Sequence, residues 1–457
     1  MDKTDETRRT KRRIRWWHIV GLMVAACALA LILVRIRDRT TLQRRLDAIR
    51  AAGYPVTFAE LDVWYKDVPY GENAAEYVLD AIACLQKPEA EQDRQLPWSS
   101  RDKMPARTEP LGEEMVGIID ELLEKNQEAI KHLQRAGTLQ RSRYPIDLTR
   151  GHATLLPHLS DLRGTVRLLC LKAILHAERH EQEAAVEALV SAFGVANTEA
   201  ATPVLISQMV RQSSQSTALS ALERVLNRTD LDEQHLASLY QTVTTAYDPN
   251  AIARGFVGER CMVIAVLRDP RSTGLGFEPI IASEGPSLLQ LHAARAVGLT
   301  DRLLVQYIAY VDRFLKALKL PPYQRLKAVG PLEREHDEMR EAHPDLTWTM
   351  PTLARFFRND LAHMTKLEVA GIALAVERYR LANNALPEQL IDLAPRFLES
   401  VPLDPYDGQP LRYRQLDPGF VVYSIGPDGV EDGGKERPAK QRGQQEPNYD
   451  ITFIVER

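Results

Sequence analysis

A chain of 457 residues with a formal charge of −4, 44% hydrophobic and 26% charged, has the composition of a globular protein of roughly two or three domains. The charge is uneven: residues 1–50 hold 13 Lys/Arg against 5 Asp/Glu, a local +8 that leaves −12 on everything after. That acidic remainder removes the electrostatic basis for nucleic-acid binding along the chain.

The basic tail of residues 1–15 leads into Trp16 to Val34, an apolar run long enough to cross a bilayer as one helix. Residues 16–35 therefore read as a transmembrane anchor in contact with the lipid bilayer. Trp16 and Trp17 suit the headgroup level, and Arg35 and Arg37 can snorkel at the far end. A cleaved signal peptide fits poorly, because the run exceeds an ordinary h-region and lacks a small-x-small cleavage site before polar residues. Val24-Ala25-Ala26-Cys27 matches a lipobox, but Ala28 to Val34 stay apolar where a lipoprotein turns polar, which favours chance occurrence in an Ala-rich helix. Lys/Arg counts on the two flanks are nearly equal, seven before the run and six by Arg50, so the positive-inside rule barely orients the span.

Leu42 to Ala52 is helical in pattern and stops at Gly53. Thr57 and Glu60 then have capping-box spacing for a helix bearing Leu61 and Trp64, with Trp64 and Tyr65 as packing residues. Gly53 to Ala75 resembles a recurrent post-anchor segment of uncharacterised bacterial envelope proteins, and residues 36–345 resemble only such proteins. Residues 86–112 are polar and Pro-bearing without apolar periodicity, and read as an exposed connection.

From Glu113 to about Thr244 apolar residues recur at three and four, which predicts a helical body. Leu168 to Val195 has the pattern of a helical hairpin of the tetratricopeptide kind, turning at Glu178 to Gln182. No second copy at a fixed period follows it, so irregular helical pairs are expected. Further helices are predicted over Ala251 to Arg268, Leu288 to Ala296 and Thr300 to Leu318, with a Gly/Pro-rich loop at Asp269 to Pro286.

Constellations that carry chemistry are sparse. Cys27, Cys84, Cys170 and Cys261 are too dispersed for a metal knuckle or redox pair, and read as free thiols. Cys261 beside Arg260 sits in an apolar helical run, which favours burial over nucleophilic use. His176 and His180 are one turn apart, yet lie where the hairpin should turn, so a solvated helix end outweighs a metal site. His336 and His343 flank an acidic stretch, Glu335 to Glu341, expected to be an exposed charged face. His152, His158, Ser160 and Asp161 include triad residue types but no strained Gly-x-Ser-x-Gly turn. Ser213 to Ser220 reads as a close-packed helix face.

The tail is the most informative stretch. A helix ending Glu377-Arg378-Tyr379-Arg380 runs into Leu386-Pro387, then Pro402-Leu403-Asp404-Pro405-Tyr406-Asp407-Gly408, then Tyr423-Ser424-Ile425-Gly426-Pro427-Asp428-Gly429. In order and content this resembles the globular end of the G family, the major pseudopilin of type II secretion. The resemblance implies a helix laid on a small antiparallel sheet, and an acidic Gly-rich loop that holds calcium. By motif position Asp428 and Asp450 carry over as calcium ligands, with Asp432 as an additional acid. Loop carboxylates with backbone carbonyls suit an ion that takes six to eight oxygens. Two departures stand beside it. A longer basic run, Lys435 to Gly443, follows Gly434 and opposes a cation, leaving a metal-free acidic turn as the competing reading. The helix, Leu353 to Ala382, starts deep in the chain, with Phe357, Leu361, Met364, Gly371, Leu374 and Tyr379 on one face and Arg355, Arg358, Asp360 and Lys366 on the other. Pilus assembly through an N-terminal stem does not follow.

The expected architecture is mainly α with a C-terminal α+β module: basic tail 1–15, transmembrane helix 16–35, helical domain 36–345, and a pseudopilin-G-like domain 346–457. The expected function is a non-catalytic, single-pass envelope scaffold that binds unknown protein partners, with a link to type II secretion-like machinery as a narrower reading. Its place would be a bacterial inner membrane, with the bulk of the chain extracytoplasmic. The alternative is an extracytoplasmic hydrolase with its site in the helical body.

Overall fold

The computed structural model describes residues 3–96, 104–268, 293–342, 344, 352–436 and 449–457, with the backbone alone for residues 3–15 and 152. The chain is mainly α with a C-terminal α+β module. Helix α1, Lys3–Ala51, is uninterrupted. Sequence reading separated the anchor from a helix beginning at Leu42, but Arg35 to Thr41 contains no Gly or Pro, so nothing breaks the hydrogen-bond ladder between them. The helix ends before Gly53, whose φ of +81° few other residues tolerate. Thr57 then caps α2, Phe58–Trp64, by accepting from the Glu60 N–H at 3.2 Å. Glu60 reaches back one residue further than a capping box, accepting from the Val56 N–H at 2.8 Å.

The body comprises α3 (Ala74–Cys84), α4 (Ala90–Gln95), α5 (Glu113–Lys125), α6 (Gln127–Gly137), α7 (His158–Glu178), α8 (Gln182–Asn197), α9 (Leu205–Arg228), α10 (Glu233–Thr245) and α11 (Pro249–Arg268). Helices α12 (Leu299–Ala317), α13 (Pro322–Ala342) and α14 (Leu353–Asn383) follow. The hairpin expected at Leu168 to Val195 is α7 and α8, turning through His180 at φ +57°. Helices α6 and α8 approach at Gly137 and Gly194, where a Cβ on Gly194 would lie 2.6 Å from the Gly137 Cα. Only glycine permits that separation.

Two apolar cores organise the molecule. The larger joins α2 to α11 with Leu367 to Val376 of α14 and with Phe420, Val422, Phe453 and Val455 of the sheet. In the second, Leu42, Leu46 and Ile49 of α1 meet Phe256 and Ile264 of α11, an aromatic row on α12 (Tyr307, Tyr310, Phe314), and Leu353 and Phe357 of α14. Helix α14 thus belongs to both, its N-terminal turns in one and its later turns in the other. The sheet is antiparallel in the order β1 (Arg412–Gln415), β2 (Phe420–Ser424), β3 (Ile451–Val455), with Arg412 opposite Tyr423 and Val422 opposite Phe453. Central β2 is buried on both faces: Val421 and Tyr423 pack with Ile454 on the side away from the large core.

Several expectations need correction. Residues 86–112 are not simply an exposed connection, since they contain α4, bury Leu96 and Leu111, and offer the Pro105, Ala106 and Glu109 carbonyls to Arg224. Asp360, assigned to the polar face of its helix, is buried; the opposite neighbour, α9, supplies polar partners that make that burial tolerable. His336 is likewise buried, stacked on Tyr310 at 5.4 Å between ring centroids, because α13 lays that face on α12. The loop at Asp269 to Pro286, His343, and the boundary expected at 345/346 lie outside the described residues.

Candidate functional site

The acidic loop is built from the turn that precedes β1. Asp404, fully buried, accepts from the Tyr406 N–H (3.0 Å), the Ser424 hydroxyl (2.9 Å), the Ile425 N–H (3.0 Å) and Arg412 Nη1 (2.8 Å). It ties the Pro-Leu-Asp-Pro turn to the end of β2 and fixes the point from which the loop departs. Arg412 also pairs with Asp407 and Glu431, so one guanidinium is shared among three carboxylates at the loop's root and the group stays net negative.

The three singled-out aspartates occupy the rim beyond. Asp428 accepts from the Val430 N–H (3.1 Å) with one oxygen and from the Tyr449 N–H (3.3 Å) with the other, joining the two sides of the loop. Asp450 is wrapped by the segment from Asp432: its Oδ2 accepts from the Gly434 (2.7 Å) and Lys435 (3.2 Å) N–H groups. Burial raises the Asp450 pKa, and the N–H groups of Gly434, Lys435 and Asp432 pull against that rise. Two buried oxygens, Asp450 Oδ1 and Asp432 Oδ2, have no protein hydrogen-bond partner. Those orphan oxygens fit a cation. Against it, no group of three or more His, Cys, Asp or Glu side chains among the described residues is arranged to hold a metal ion. Lys435 and Glu436 begin the basic run; its remainder lies outside the described residues.

Asp404 escaped notice as a site residue because its motif reads as a turn. A larger polar cluster was missed altogether. On α9, Gln208, Arg211, Gln212 and Gln215 share a buried face. Arg211 donates to the Ala246 carbonyl (3.2 Å) and Asn197 Oδ1 (3.1 Å), and Gln212 donates to Asp360 (2.8 Å). The Tyr247 hydroxyl donates to the other Asp360 oxygen (2.9 Å), and His363 donates to Gln215 Oε1 (2.6 Å). Burial pushes the Asp360 carboxyl up to about 6 and the His363 imidazole well below its usual range. The cluster fastens α14 to the body. Its only sequence signal is four long polar residues at helical spacing inside an otherwise apolar domain.

Of the triad residue types, His158 is buried, pairs with Glu199 at 2.8 Å and stacks on Tyr144 at 4.0 Å between centroids. It lines a pocket of about 190 Å³ with Leu79, Ile82, Pro145, Ile146, Leu155, Pro157 and Asp161. Ser160 is exposed while His158 is buried with its Nε2 on Glu199, so the two do not form a nucleophile–base pair. The His152 side chain lies outside the described residues. His176 pairs with Glu181 at the hairpin turn. Cys170 and Cys261 are buried free thiols pushed up to about 12 by burial, Cys84 is half-buried and Cys27 exposed. No protein-family model, curated protein or solved structure matches the chain.

Proposed function

We propose that this is a single-pass membrane protein whose helical body and C-terminal module act as a non-catalytic scaffold for protein partners. The observation that carries the reading is α1 itself. Its apolar stretch from Trp16 is wholly exposed, with Leu22, Met23 and Leu31 all outward, while Leu42, Leu46 and Ile49 of the same helix are buried in the second core. An exposed apolar stretch of that length in water would be a large uncovered patch, whereas a bilayer covers it. The body then stands directly on the anchor without a linker.

Within this reading the tail is a pseudopilin-G-like module at an inner membrane, facing the extracytoplasmic side and serving a secretion-like machine. A pseudopilin stem must offer its apolar surface to other subunits. Here Ala370, Ala373, Leu374 and Val376 of α14 are spent on the chain's own core, which supports docking over polymerisation. Calcium would be held by Asp428, Asp432 and Asp450. Fractionation with protease treatment of spheroplasts tests the placement: the chain should sediment with membranes and be cut from outside. Recovery in the soluble fraction would refute the anchor, and full protection in spheroplasts would refute the orientation.

A further inference from the structure

Five arginines lie near the level where α1 leaves its apolar stretch, and they come from two separate parts of the chain. Trp16 to Val34 is about 28 Å long at about 1.5 Å per residue, close to the hydrocarbon thickness of a bilayer. Arg35 therefore lies at the headgroup boundary. The turn preceding α12 reaches the same level, because Gly298 is seated on Arg35: a Cβ there would be 3.3 Å from Arg35 Cγ and 3.6 Å from its Cα. Gly298 has φ +80°, and this turn carries the chain across α1.

At that level stand Arg35, Arg37 and Arg39 of α1, Arg37 on the opposite side of the helix from the other two, with Arg295 before Gly298 and Arg302 one turn after it. Asp38 and Asp301 are the acids in the same two stretches, so five positive and two negative charges leave +3. Among the described residues, none of the five guanidinium groups is ion-paired. Val297 and Ile36, 62% and 55% exposed, present apolar side chains beside them. An apolar tip flanked by arginines is suited to a surface that is oily within and anionic at its rim.

We propose that the turn at Ala293 to Arg302 rests on the bilayer, and that Arg35, Arg37, Arg39, Arg295 and Arg302 together bind the phosphates of anionic lipid headgroups. This rests on the reading of α1 as a membrane span. The partner is the lipid of that same bilayer, reached by a part of the body far from the anchor in sequence.

The test uses the full chain with Cys27→Ala, Cys84→Ala and Val297→Cys, labelled at 297 and reconstituted into phosphatidylcholine vesicles containing phosphatidylglycerol. Flotation under alkaline carbonate reports the anchor separately. Quenchers carried on phosphatidylglycerol or phosphatidylcholine headgroups report contact at 297. The expected result is flotation, with quenching that favours the phosphatidylglycerol probe and weakens in high salt, which screens charge. Arg295→Ala with Arg302→Ala should float as before and lose about twenty-five-fold of that preference, since each arginine near such a surface is worth about fivefold. The double change to Lys should restore it. A chain that floats but is quenched by neither probe, or equally by both, overturns the lipid contact and leaves the anchor standing. A chain that does not float overturns both.

Discussion

Replacing Asp404 by Asn is the sharpest probe of how the C-terminal module is held together. The carboxylate is fully buried and takes four donors, two of them on Oδ2: Arg412 Nη1 at 2.8 Å and the Ile425 N–H at 3.0 Å. An amide in place of Oδ2 faces both donors with N–H groups, and flipping it moves the conflict to Ser424 and Tyr406. One partner of a buried charged pair is then lost, a change that costs about 3–5 kcal/mol. Asp407 and Glu431 still compensate Arg412, which places the expected loss near the lower bound, about 3 kcal/mol. Native-state hydrogen exchange on the full chain reads this locally, as a fall of about a hundredfold in the protection of the Ile425 amide and of β2 and β3. Protection of α7 and α8 should not change. If the β2 and β3 amides of Asp404→Asn exchange within about threefold of the parent, Asp404 does not tie the turn to β2.

Other outcomes follow from the same interior. Burial raises Glu223 and Glu259 to about 7, Glu368 to about 7 and Asp360 to about 6; folded-state values above the unfolded ones give stability that is complete below about pH 4.5 and lost as pH rises through 6 to 7. The melting temperature should therefore fall between about pH 4 and 7 and level off above, and Glu259→Gln, which removes a half-buried acid with no ion-pair partner among the described residues, should lessen that fall. Gly258→Ala would set a Cβ 1.9 Å from the Pro203 carbonyl oxygen, so α11 and the start of α9 must separate; a loss of at least about 1–3 kcal/mol is expected in denaturant titration. Calcium should raise the melting temperature of the full chain, and Asp450→Asn should abolish the gain. The full chain is needed because α14 shares the body's core, so the tail alone would expose it.

Much of the fold was legible because the signals were local. Gly53, the Thr57 cap and the turn at Glu178 to Gln182 each act within a few residues, and period-three-and-four apolar spacing marks the helices whatever they pack on. The small C-terminal sheet was expected from the order of motifs in the tail. Beyond the continuity of α1 and the short helix α4, the failures were of partnership. Asp360 looks like a surface residue until Gln212 and Tyr247 are brought to it from other helices, and His336 looks like part of a charged face until α12 covers it. Asp428 and Asp450 were found by motif, but their backbone partners at Tyr449, Gly434 and Lys435 depend on a loop closure that spacing does not encode.

The C-terminal strand has a consequence for biosynthesis. Asn227 of α9 donates to the Ile454 carbonyl and accepts from the Glu456 N–H, a junction closed over sequence separations of 227 and 229. At a translation rate of about 5–20 residues per second, α9 waits about 10–45 s for that strand to be made. Until then its sheet-facing side is bare, and a chain interrupted anywhere in the interval carries a sticky, half-clothed helix that quality-control proteases and holdases can recognise.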